Sequence, residues 1–272
     1  AFPYTKLQVA NSSVNQGAAF IVTSLAEARR RGIPDERLVH IGYGAAAHES
    51  GNFLARDRFD HSPSLATSIE RAMALNEVGT NDLAHVELYS CFPCVPKMAR
   101  RVLNWPIEKP VTVFGGLTFG GGPIGNYMSH AVVAMAKKLR GTDGRGLLFA
   151  NGGYATHNHT IMLSGAPTGA HFPQDFDYQT EADDRRGEIP PIEEDYVGPA
   201  IIETYTVHYD RAGSPKSGVI VALTPNGSRT LAKVPADDGE TIAFLTDGRC
   251  EPVGTGGKIQ RACDGLAIWQ RS

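Results

Sequence analysis

Apolar and polar positions follow two regimes along the chain. Residues 1 to about 165 alternate strand-like runs with segments of helical period, and residues from about 199 onward form short strand-like runs separated by turns. Gly17 to Thr23 is an apolar run consistent with a buried strand. Ser24-Leu25-Ala26-Glu27 has the form of a capping box opening a helix that stops at Gly32. Leu38 to Tyr43 reads as a strand. Ser62 as N-cap with Pro63 at the first helical position opens a helix with Leu65, Ile69 and Met73 on one face and Gly79 as its stop. Val86 to Tyr89 is strand-like, and beyond Pro93 the positions Val95, Met98, Ala99, Val102 and Leu103 recur at helical spacing. Val111 to Phe114 reads as a strand, Gly115 to Gly125 as a loop and Asn126 to Arg140 as a helix. Leu147 to Ala150 and Thr160 to Leu163 read as two strands around a turn. Such alternation predicts an α/β layered sheet.

The last part predicts five short strands: Ile201 to Tyr209, Gly218 to Thr224, Arg229 to Val234, Glu240 to Thr246 and Leu266 to Gln270. Asn226-Gly227 marks a hairpin. That many strands in about seventy residues predicts a small, closed or partly open barrel of OB-like size. Between the two parts, residues 166–198 read as an acidic, Pro-containing linker. From Phe172 to Asp195 this stretch holds nine acids against Arg185 and Arg186. The expected organisation is therefore 1–165, 166–198 and 199–272.

Composition narrows the function. The 272 residues carry 26 Lys plus Arg against 29 Asp plus Glu, and the barrel region balances eight bases with eight acids. Neither is a surface for a nucleic-acid backbone. No apolar run reaches the ~18 residues of a membrane span, and the first residues lack a signal-peptide pattern. Four cysteines are too few for a disulfide scaffold, so a reducing cytoplasm is the expected compartment. Cys91-Phe92-Pro93-Cys94 has redox-pair or half-zinc-site spacing. Cys250 and Cys263 do not complete a zinc pattern, so no metal is expected, and two buried structural thiols are the expected reading of the pair.

Gly115-Gly116-Leu117-Thr118-Phe119-Gly120-Gly121-Gly122-Pro123-Ile124-Gly125-Asn126 runs straight into a predicted helix, where main-chain N–H groups suit phosphates and oxyanions. It stands behind Val14-Asn15-Gln16-Gly17-Ala18-Ala19 and ahead of Leu147-Leu148-Phe149-Ala150-Asn151-Gly152-Gly153-Tyr154. This order resembles the C-terminal half of a thiolase, over residues 1 to about 165. It is most similar to thiolase-like proteins of type 1, whose additional C-terminal domain would be residues 199–272. The resemblance implies a βαβαβαββ half-fold, coenzyme A thioesters as substrates with no further cofactor, and a partner first half that supplies a nucleophilic cysteine. On that reading the chain is a piece of a polypeptide about twice as long.

The sequence departs from the family at the residues that carry its chemistry. Gly122 stands where thiolases have the His of a Gly-His-Pro triplet. Tyr89 stands where Asn or His acts, in Leu88-Tyr89-Ser90-Cys91-Phe92, and Ala150 aligns with the acid/base cysteine. Losing one oxyanion donor costs about 10² to 10³ in rate, and losing a general acid/base about 10² to 10⁴. The catalytic candidates are Tyr89 as a hydrogen-bond donor, Cys91 as a thiol near the acyl site, and His157 as a proton carrier in place of the missing cysteine. The bland alternatives are a packed strand-end phenol, a small buried hydrophobe, and a turn imidazole. His157 and His159 share a face only if the backbone there is extended. Gly120, Gly121, Gly122, Asn126 and Asn151 are the substrate-binding candidates, with N–H groups around Gly121 and Gly122 on the oxyanion. His130, one turn past Asn126, could face the loop or solvent and is expected to face solvent; Arg29-Arg30-Arg31 read as helix-end cations near the negative dipole end, although they could touch a CoA phosphate. Three functions stay open: acyl transfer or Claisen chemistry in the complete polypeptide; a non-catalytic acyl-CoA-binding or partner-docking subunit; and retro-aldol chemistry with a complementary chain.

Overall fold

A computed structural model describes residues 1–271. The elements in chain order are α1 (Leu25–Arg30), β1 (His40–His48), α2 (Pro63–Leu75), β2 (Leu83–Leu88), α3 (Cys94–Leu103), α4 (Gly116–Phe119), α5 (Tyr127–Leu139), β3 (Arg145–Gly152), β4 (His157–Ser164), α6 (Gln179–Asp184), β5 (Gly198–Tyr209), β6 (Pro215–Leu223), β7 (Arg229–Pro235), α7 (Gly239–Thr246), β8 (Gly256–Arg261) and β9 (Ala267–Arg271). They form two compact units. The α/β unit comprises residues 6–51 and 60–186; the barrel unit comprises 1–5, 52–59 and the chain from Gly187 onward.

The α/β unit is built on a four-stranded sheet of order β1-β4-β3-β2, parallel between β2 and β3 and antiparallel elsewhere. Alternation along β3 explains its two cores. Leu147 and Phe149 pack with α2 and α3 through Leu65, Ile69, Val95, Ala99 and Leu103. Leu148 faces the other way, onto Tyr127, Ala131, Met135 and Leu139 of α5. The caps hold as expected: Ser24 Oγ accepts from the Glu27 N–H at 3.1 Å, and Ser62 Oγ accepts from the Leu65 N–H at 3.2 Å.

Four expectations are corrected. Gly17 to Thr23 forms no strand; Ile21 is 93% exposed, and no neighbouring strand accepts this run into the sheet. Val111 to Phe114 is irregular because the N–H groups of Val113 and Phe114 bond to the Glu87 carboxylate instead of a neighbouring strand. The α2 helix ends at Leu75, before Gly79, with Asn76 as its C-cap and Glu77 at φ 51°. Finally, α6 lies inside the stretch read as linker. Residues up to Arg186 group with the α/β unit, where the Gln174 and Gln179 side chains bond the β1 backbone.

The barrel closes as β5-β6-β7-β9-β8 around Ile202, Val207, Ile220, Val234, Ile259 and Trp269. Glu240 to Thr246, expected as a strand, is helix α7. Asp238 accepts from the Thr241 N–H at 3.0 Å, and Ile242, Phe244 and Leu245 are buried. The fifth strand is β8, which sequence reasoning missed. Its Gly257 leaves the room that the Trp269 ring occupies. Arg229 is fully buried in this unit. It pairs with Glu203 through two bonds of 2.7 and 2.5 Å, donates to the Leu54 and Arg56 carbonyls, and lies over the Phe59 ring.

Candidate functional site

The strand periodicity decides what meets at the carboxyl ends of β2 and β3. Asn151 continues the Leu147 and Phe149 face, toward α2 and α3. Ala150, two residues beyond Leu148, continues the face that packs on α5. In β4, Asn158 and Thr160 lie inward while His157 and His159 are both exposed, so the backbone is extended and the two imidazoles share a face. His48, paired with His157 across the sheet, brings its ring to 6.4 Å from the His157 ring. Burial, then the His157 charge, lowers the His159 pKa below the ordinary histidine value.

Tyr89 follows β2, half-buried, with its ring edge-on to Tyr127 at 5.7 Å. Burial pushes its phenol up, so it stays a neutral donor. The Cys91 thiol lies 3.8 Å from Asn151 Oδ1, and burial raises its pKa to about 11. It is therefore a protonated donor at neutral pH, not a thiolate nucleophile; Cys94, expected as a second buried thiol, is exposed at the start of α3. Cys91 and Asn151 meet; His157 meets them through its backbone, its carbonyl lying 3.5 Å from Asn151 Nδ2, while its ring is on the opposite face.

Beneath Asn151 lies a buried polar layer that sequence reasoning missed. Asn151 Nδ2 donates to Asn158 Oδ1 at 3.0 Å, and Asn158 Nδ2 donates to Ser64 Oγ at 2.7 Å. Ser64 contacts Ser62 at 3.1 Å, and Ser62 Oγ donates to Glu49 Oε1 at 2.8 Å. Glu49 also pairs with Arg186 at 3.0 Å. Burial alone would raise the Glu49 pKa, but the Ser64 N–H, the serine hydroxyls and Arg186 together hold it below the usual carboxylate value. The available signal was an acid, Glu49, two residues past Ala47, continuing the alternation of the buried positions Ala45 and Ala47.

The glycine loop is folded against residues 10–16. The Gly120 N–H bonds to the Gly116 carbonyl and the Gly122 N–H to the Asn11 carbonyl, both at 2.8 Å. Gln16 donates to the Gly120 carbonyl at 2.9 Å. Gly121 needs to be glycine: its φ is 89°, and an added Cβ would sit 2.6 Å from the Gln16 amide. Of the three expected donors, only the Gly121 N–H has no partner among the described residues. Asn126 precedes α5 and its side chain caps nothing; its carbonyl contacts Nδ1 of His130 at 2.9 Å, and His130, expected to face solvent, is instead buried with its ring against Phe114. Glu27 pairs with Arg30 and Arg31 at 2.6 Å.

The loop is fixed from below by Glu87, a fully buried carboxylate on β2. It accepts from Tyr127 Oη at 2.5 Å, Thr112 Oγ1 at 2.8 Å and the Val113 N–H at 2.8 Å. Thr112 Oγ1 in turn accepts from the N–H groups of Gly115 and Gly116. Burial raises the Glu87 pKa more than these donors lower it. No group of three or more metal-binding side chains occurs among the described residues, and none of their helices is long and apolar enough to cross a membrane.

A four-stranded α/β layer with its polar groups at one sheet end, followed by a closed five-stranded barrel, is the fold of a thiolase-like protein with an appended barrel. Comparison with known proteins bears this out. Residues 179–265 match the thiolase-like protein type 1 additional C-terminal domain. Over its whole length the chain is similar, at 27% identity and a TM-score of 0.82, to a monomeric SCP2-thiolase like protein type 1 from Mycobacterium smegmatis. It spans 58% of the length of that protein. An acetyl-CoA acetyltransferase from Bacillus anthracis aligns with 52% of this chain and 33% of its own at 18% identity and a TM-score of 0.41. No curated protein sequence matches. The resemblance to thiolase-like protein type 1 with its additional C-terminal domain thus stands.

Proposed function

We propose that this chain handles acyl-coenzyme A thioesters as part of a thiolase-like protein with a weakened catalytic site. A first thiolase half, in the same polypeptide or a separate chain, would supply the nucleophilic cysteine. The observation that carries the reading is the contact of Cys91 with Asn151 at the carboxyl ends of β2 and β3, where Tyr89 leaves β2, beside a glycine loop whose Gly121 N–H is unengaged. These groups are neutral hydrogen-bonding partners for a thioester. Of the proton carriers, Cys91 is held protonated, and His157 and His159 lie on the opposite face of the sheet, the face of Ala150, where the family's acid/base cysteine aligns. The test is calorimetry of acetyl-CoA with the complete polypeptide, beside thiolysis of acetoacetyl-CoA. Absence of binding by the complete polypeptide would end the reading.

One observation favours a second reading, that of an acyl-CoA-binding subunit without turnover. The Gly120 and Gly122 N–H groups are already engaged by main-chain carbonyls, so a two-donor oxyanion hole is not available there. Binding without detectable thiolysis selects this reading; thiolysis excludes it.

A further inference from the structure

The polar layer under the site has a direction. Ionised Glu49 has only acceptor oxygens, so the Ser62 hydroxyl donates to it at 2.8 Å and the Ser64 N–H at 2.9 Å. With the Ser62 hydrogen so used, the one hydrogen of the Ser64 hydroxyl points toward Ser62 and Glu49, not toward Asn158. The Ser64 oxygen then accepts from Asn158 Nδ2 at 2.7 Å, and the second hydrogen of that nitrogen goes to the Ala155 carbonyl at 3.0 Å. These two contacts fix which end of the Asn158 carboxamide is nitrogen. Its Oδ1 therefore accepts from Asn151 Nδ2 at 3.0 Å, leaving the Asn151 oxygen toward Cys91. Asn158 is fully buried and Asn151 is 6% exposed, so neither amide exchanges these partners for water.

We propose that Asn158 is a positioning residue for the site thiol: by holding the Asn151 carboxamide with its oxygen toward Cys91 Sγ, it keeps that sulfur a neutral hydrogen-bond donor and denies the site an Asn151 N–H. An Asn151 free to turn would offer its NH₂ to the sulfur, which favours the thiolate. The inference stands independently of which ligand the site takes.

The test follows alkylation of Cys91 by iodoacetamide across pH, read by mass spectrometry of its peptide. It uses the full chain with the exposed Cys94, Cys250 and Cys263 changed to Ser. The parent profile should rise well above the ordinary thiol value of about 8.5. Asn158→Leu frees the Asn151 carboxamide and should speed alkylation at pH 8 about tenfold, one unit in the thiol profile. Asn158→Asp, which keeps an oxygen for Asn151 to donate to, should not lower the profile. An unchanged profile in folded Asn158→Leu, or an equal fall in Asn158→Asp, overturns the proposal. Where Asn158→Leu does not fold, side-chain amide exchange in the unaltered chain decides by NMR: slow exchange of both Asn151 and Asn158 NH₂ groups supports it, and free exchange at Asn151 overturns it.

Discussion

Replacing Glu87 by leucine removes the acceptor on which the start of the glycine loop is hung. Four donors converge on that carboxylate: the Tyr127 hydroxyl at 2.5 Å, the Thr112 hydroxyl at 2.8 Å, the Val113 N–H at 2.8 Å and the Phe114 N–H at 3.3 Å. Tyr127 is 2% exposed and cannot turn to water, whereas Thr112 and Val113 are half-buried and can rehydrate in part. An orphaned buried donor costs about 1–3 kcal/mol, so Glu87→Leu should cost the α/β unit about 3–5 kcal/mol. Glu87→Gln keeps one acceptor oxygen, and the Tyr127 oxygen can accept from the new NH₂, so its cost should be about 1 kcal/mol. The two variants also separate packing from titration. The folded-state pKa of Glu87 is raised, so its contribution is fully present below the unfolded value of about 4.3 and is lost as pH rises through the folded value. The stability difference between parent and Glu87→Gln should therefore grow on acidification from pH 7.5 to 5, the other carboxylates cancelling in the comparison. Denaturant titration followed by the Trp105 indole N–H signal reads this unit, because the only other tryptophan, Trp269, lies in the barrel core. A Glu87→Leu protein within about 1 kcal/mol of the parent, or a difference that shrinks on acidification, would refute the reasoning.

Four further substitutions probe other contacts. Gly121→Ala should cost about 1–2 kcal/mol in thermal denaturation because φ is positive there and Gln16 fills the space, whereas Gly122→Ala meets neighbours at 3.4 Å and should stay within about 0.5 kcal/mol. Gly257→Ala drives a methyl into the Trp269 ring and should destabilise the barrel by about 1–3 kcal/mol, visible as a lower denaturation midpoint of the Trp269 indole signal. Arg229→Met leaves Glu203 and the Leu54 and Arg56 carbonyls without their cation. It should cost about 3–5 kcal/mol and open residues 52–59 to trypsin; an unchanged digestion pattern would count against the clasp.

Much of the architecture was legible because its signals are local. Ser62-Pro63 and Ser24 cap helices as their side chains require, and strands β2 to β4 follow their apolar runs. The misses are places where a distant residue decides. Val111 to Phe114 has strand-like side chains, yet its backbone is claimed by a carboxylate some 25 positions earlier. Glu240 to Thr246 is rich in strand-forming residues, but Asp238 caps it as a helix; β8 hides behind Gly257, whose missing side chain is supplied by Trp269. At the site, the sequence picked out Tyr89, Cys91 and Asn151 by position. It could not show that Asn11 reaches the Gly122 N–H, nor that Asn158 orients Asn151.

The barrel unit takes eight of its residues, Asn52 to Phe59, from between β1 and α2. One cut in the chain therefore cannot yield both units whole. Truncation after Arg186 would strand that octapeptide without Arg229 and deprive the barrel of the two carbonyls its buried guanidinium needs. Recombination with a relative would have to exchange the octapeptide and the C-terminal region together, so evolution should inherit them as a linked pair.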